Sequence, residues 1–117
     1  MGAQSFSNLV VVKGDAGDAY SKACAEMRDY NGHREGYSGD IQTTHGIKSP
    51  RGKVPRFGTK AFDKWEGKCF NNGEVQKWEE AMCVEVTGAV ATRIKHRHGY
   101  KGRKGIRVFY FFGYGAC

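Results

Sequence analysis

The sequence predicts an α+β domain, a small antiparallel sheet of about four strands with one long and one or two short helices packed on one face. Three observations carry this. A β-branched run opens the chain, a stretch of helical apolar period follows it, and two strand-like runs lie near the end. A chain of 117 residues suits one domain, spanning 1–117, and buries roughly two-thirds of its unfolded surface without help from disulfides. Its 39% of hydrophobic residues excludes a wholly disordered chain. No run approaches the roughly 18 apolar residues of a membrane-spanning helix.

Each element has its own signal. Ser5 to Lys13 reads as a strand centred on Val10 to Val12. Gly14 breaks it, and Asp15 with Asp18 forms a variant capping box at the start of a helix. In that helix Ala16, Ala19, Tyr20, Ala23, Met27 and Tyr30 share one face, and Asn31-Gly32 ends it. Gly36 to Lys48 reads as a weaker strand with Ile41, Thr43, His45 and Ile47 on one side. Ser49 to Gly58 holds both prolines and is predicted to be an exposed loop. Thr59 caps a short helix lined by Ala61, Phe62, Trp65 and Cys69, with another helical turn expected around Trp78 between Glu74 and Glu80. Ala81 to Thr87 alternates as a half-buried strand, and Ile106 to Phe112 is apolar on both faces, as a central strand would be. Two strands joined by one connection favour an antiparallel pair, so the segment between them is expected to form a basic hairpin tip.

Charge is the strongest functional signal. The formal net charge is +7, which biases the chain toward anionic partners. Twelve of the nineteen lysines and arginines fall in two acid-free segments, 48–60 and 93–107. The candidate anion-binding or nucleic-acid-binding residues are Lys48, Arg51, Lys53 and Arg56 in the first segment. In the second they are Arg93, Lys95, His96, Arg97, His98, Tyr100, Lys101, Arg103 and Lys104. Lysine and arginine neutralise phosphates, and an interleaved aromatic ring can stack on a base. A solvated turn that keeps a sticky strand pair soluble is the plainer alternative.

A second candidate is the polar, glycine-rich stretch from Tyr30 to His45, where Tyr30, His33, Tyr37, Gly39, Thr43 and Thr44 could line a ligand loop. His33 or His45 with Glu35 or Asp40 has the residue types of a general base and its orienting group. Their order matches no catalytic motif, and no catalytic residue is assigned. His96 and His98 form an HxH pair without the tighter ligand spacing of a zinc site, so no metal or other cofactor is expected. Phosphate-binding GxxxxGK[ST] and nucleophile-elbow GxSxG motifs do not occur. Cys24, Cys69, Cys83 and Cys117 are widely spaced and lack a CxxC pair. The N-terminus lacks the charged start and long apolar core of a secretory signal. A cytoplasmic chain with reduced thiols is therefore expected, with Cys24 and Cys83 as small core residues.

The opening SFSNLVVVKGDAGDAY, the stretch YNGHREGYSGDIQTT, the segment KWEEAMCVEV and the terminal FYFFGYGAC resemble a family of small orphan proteins of tailed phages and phage-like bacterial loci. The resemblance spans most of the chain and leaves out both basic segments. It implies a compact accessory protein made inside an infected bacterium, and carries over no functional residue. By analogy with small phage proteins that block host defence, the expected function is non-enzymatic binding of phosphate-rich partners, nucleic acid first. The alternatives are a sponge for a nucleotide signal, seated in a symmetric interface of a homo-oligomer, or an inhibitor docked on a host defence protein.

Overall fold

The computed structural model describes residues 3–31, 41, 44–50, 52–72, 75, 80–100 and 102–116. Its elements run β1 (Ala3–Lys13), α1 (Ala16–Asn31), β2 (Ile47–Lys48), α2 (Lys60–Asn71), β3 (Ala81–Val86), α3 (Gly88–Arg97) and β4 (Ile106–Ala116). The four strands form a single small sheet in the order β1-β4-β3-β2, and the class is α+β. No helix among the described residues is long and apolar enough to cross a membrane.

β1 and β4 are antiparallel partners over their full length, from Ala3 opposite Ala116 to Lys13 opposite Ile106. β4 pairs antiparallel with β3 on its other side. The sheet is mixed rather than wholly antiparallel, because β2 runs parallel to β3, with Ile47 opposite Ala81. α2 lies between those two strands in the chain and supplies the long crossover that a parallel neighbour requires.

Helices α1 and α2 begin as the sequence predicts. The Asp15 N–H donates to Asp18 Oδ2 and the Asp18 N–H donates to Asp15 Oδ1, each at 3.0 Å. That backbone donor holds the Asp15 carboxyl below its ordinary value. Thr59 caps α2 by accepting from the Phe62 N–H at 3.2 Å.

Successive strand residues point to opposite faces. On one face α1 lays Ala19 and Ala23 against Val10, Phe109 and Phe111. On the other, α2 packs Phe62 and Cys69 against Met82, Val84 and Phe112, while α3 packs Ala91 and Ile94 against Val11, Val86 and Val108. Helices therefore cover both faces, which corrects the one-sided packing expected from the sequence. β4 is the cause. Val108 and Phe112 on one side and Phe109 and Phe111 on the other are all buried, and leaving either set in water would forfeit about 25 cal/mol per Å² of apolar surface.

Of the weaker strand expected over Gly36 to Lys48, positions 36–40, 42 and 43 lie outside the described residues, and among the described ones only Ile47 and Lys48 pair. Among the residues before them, Ile41 and Thr44 form a turn, in which the Thr44 N–H and Oγ1 both donate to the Ile41 carbonyl. Tyr20 Oη then donates to the Thr44 carbonyl and accepts from the Gly46 N–H. Side chains thus occupy backbone groups that a strand ladder would use. The helical turn expected over Glu74 to Glu80 lies mostly outside the described residues. Within it Val75 is buried in the α2 cluster.

Candidate anion-binding surface

The basic tip expected between the late strands is in fact helix α3. Val90, Ala91 and Ile94 form its inward stripe, at the i, i+3 and i, i+4 spacing of one helix face. Gly99, at φ +82°, stops it in the left-handed conformation that favours glycine. The closing bonds run from the His98 N–H to the Ile94 carbonyl and from the Tyr100 N–H to the Lys95 carbonyl. Lys95, His96 and Arg97 occupy the last turn, where the partial negative charge of the helix end favours cations.

Arg93, His96, Arg97 and His98 are exposed on this helix and its cap, and Lys95 is half-buried. Arg103 and Lys104 are exposed on the return to β4. Tyr100 departs from its expected role as a free stacking ring. It is half-buried against the α3 cluster, with the Arg103 guanidinium 5.9 Å from its ring centroid. Lys101 and Arg51 lie outside the described residues.

Of the first basic segment, Lys48 is half-buried in β2, whereas Lys53 and Arg56 are exposed in the predicted loop. Phe57 anchors that loop, its ring 5.0 Å from Tyr110 and 5.1 Å from Phe62 between centroids. In the sequence Phe57 is marked only as the lone aromatic of a proline-bearing loop, the residue type that anchors such a loop. The contact brings the loop to the sheet face that carries α3. A groove of about 390 Å³ runs between them, with Arg56 on one wall and Thr87, Gly88 and Val90 on the other.

No described carboxylate lies within 4.0 Å of Lys53, Arg56, Arg93, Lys95, Arg97, Arg103 or Lys104. Arg107, the last cation of the second segment, behaves differently. Its side chain lies on the α1 face beside Phe109 and donates from Nε and Nη2 to Glu85, at 2.8 and 3.0 Å.

The second candidate constellation is not assembled among the described residues. Tyr30 falls in the last turn of α1, and His33, Tyr37, Gly39 and Thr43 lie outside the described set. Thr44 is buried and bonded to Ile41 and Tyr20, which makes it a structural residue. His45 is exposed. No group of three metal-ligating side chains occurs among the described residues, so the HxH pair gains no third ligand there. Burial pushes the Cys83 thiol up to about 11, which keeps it protonated and unreactive at neutral pH. The fold and surface define a small α+β domain whose acid-free helix α3 and Arg56-bearing loop lie on the same side of its sheet. No family model matches the chain, and no curated protein or solved structure matches it either.

Proposed function

We propose that this protein is a non-enzymatic binder of phosphate-rich partners, nucleic acid first, and that it serves as a phage accessory protein directed against host defence. One observation carries the binding. Helix α3 and the loop that bears Arg56, two segments distant in sequence, pack on one side of the sheet, and none of their exposed cations has a described carboxylate within ion-pair distance. α3 carries no acid, whereas a helix charged only for solubility would be expected to intersperse both signs. Ordinary lysine–carboxylate and arginine–carboxylate pairing would also reduce its field. Arginines on a short rigid helix suit phosphate contact, because the planar fork matches two oxygens at once. The phage context rests on the sequence resemblance alone.

The test is binding of labelled single-stranded RNA and duplex DNA across a salt series. Affinity is expected to fall steeply between about 50 and 200 mM salt, as phosphate contacts release counterions. Replacing Arg93 and Arg97 together by Gln should reduce the slope of log affinity against log salt on duplex DNA by about 1.8, from about 0.9 per phosphate contact. A flat salt response, or no binding at the lowest salt, rules the reading out.

A further inference from the structure

β1 is an edge strand of the described sheet. Among the described residues β4 is its one neighbour, so one side of an 11-residue backbone faces away from the ladder. In an antiparallel pair, every second residue turns its N–H and C=O outward. Lys22 identifies which ones, since its Nζ donates at 2.8 Å to the Val11 carbonyl, a group that β4 leaves unused. Ser5, Ser7, Leu9, Val11 and Lys13 therefore have outward backbone groups. Their side chains share the α2/α3 face, as the burial of Val11 in the α3 cluster requires.

Edge strands usually refuse partners through charge, proline or a bulge. From Ala3 to Val12 this one has no charged residue, no proline and no glycine. At its centre Leu9 is 38% exposed, the one large exposed hydrophobic side chain among the described residues.

We propose that β1 pairs antiparallel with β1 of a second copy, on a two-fold axis through Leu9, to make one continuous sheet. Two features of the edge select a second copy as its occupant. First, the axis sets Leu9 against its own equivalent, which removes the exposed side chain from water on both copies. Second, the charges match. A groove at the Ser5–Ser7 end is lined by Asp63 and Glu66 of α2. Lys13, exposed, stands at the other end of the same strand. The two-fold arrangement lays Lys13 of each copy opposite Ser5 of the other, beside that acidic groove, so unlike charges meet at both ends. Parallel pairing would instead set acid beside acid.

In this register Ser7 faces Val11 of the second copy, and the Ser7 N–H takes over the carbonyl that Lys22 holds in the single chain. An antiparallel junction has its axis normal to the sheet. Both α3 helices then lie on the same side of the joined sheet.

Sedimentation equilibrium of the nuclease-treated full chain tests this. The wild type is expected at twice the 13.0 kDa of one chain. Leu9→Pro removes only an outward N–H that β4 does not use, a substitution tolerated on edge strands. Leu9→Lys sets two like charges on the axis and leaves the backbone alone. Both variants should sediment as single chains while keeping the wild-type circular dichroism spectrum. A wild type that sediments as a single chain throughout the concentration range overturns the proposal, as does a dimer that persists in both variants. Should Leu9→Pro fail to fold, Leu9→Lys decides alone.

Discussion

Arg107 shows how one residue's surroundings remove it from a cationic surface. Its two-pronged contact with Glu85 joins strands β4 and β3 on the α1 face. The hydrogen bond from Arg107 is the main cause that holds the Glu85 carboxyl below its ordinary value of 4.5. A carboxyl lowered on folding adds stability above its unfolded value, and that stability is lost as pH falls through the folded value. Both side chains are more than a third exposed, at 37% and 44%, so water and salt screen the pair and its effect is small. The melting temperature of Glu85→Gln is accordingly expected to lie slightly below wild type at neutral pH. The gap should close as pH is lowered below 4.5, and close also in high salt at neutral pH. A gap that holds constant from neutral to acid would show that the bridge is not its source. Nothing in the residue sequence singled out Arg107 from the six cations before it. The distinction arises from strand register, which sets its side chain on the α1 face near Glu85.

At the scale of elements, legibility followed chemical punctuation. α1 and α2 could be placed because Asp15, Asp18 and Thr59 mark their starts with side chains that bond the first free N–H groups. α3 has no such mark. Thr87 stands at its N-cap without a side-chain cap bond, and its inward stripe is only Val90, Ala91 and Ile94. Among so many cations and glycines that stripe reads as loop. That Thr44 to Gly46 stand outside β2 was hidden for a different reason, since the Tyr20 hydroxyl reaches Thr44 and Gly46 from 24 and 26 residues away, a long-range contact that local periodicity does not report. The positive charge of the candidate surface was legible, but its helical framework was not. The one clear boundary signal for α3 was at its end, where the basic last turn precedes Gly99. A Cβ at Gly99 would meet nothing within 4 Å, so the backbone alone determines what a substitution there does. Gly99→Ala is expected to destabilise the protein by about 1 kcal/mol through its left-handed φ, and Gly99→Asn by less, since asparagine tolerates that conformation. Urea unfolding of the two variants checks the order. Equal stability of both with wild type would mean that the helix stop relaxes freely.

The whole molecule is organised around β4, which is flanked by β1 and β3 and covered on both faces. Its two-sided apolarity was visible in the sequence and pointed to a covered strand, although a single helical layer looked more economical. Phe111 and Phe112 make the consequence testable. They are adjacent in sequence, both fully buried, and face opposite layers, Phe111 toward α1 and Phe112 toward α2. Truncating either to Ala should cost about 3–5 kcal/mol, the range for a buried phenylalanine. The more informative measurement is whether the two layers unfold together. Trp65 lies 5.5 Å from Phe112 between ring centroids, so its fluorescence, isolated in a Trp78→Phe background, reports on the α2 layer. Far-ultraviolet circular dichroism includes the signal of α1, at 16 residues the longest of the described helices. If both layers depend on one shared strand, Phe111→Ala shifts the fluorescence and dichroism midpoints equally, although Trp65 stands on the opposite face from the deletion. Independent layers would give separated midpoints, with the fluorescence transition left where it was. Coincident shifts are expected, because neither layer can keep its floor once β4 leaves the sheet.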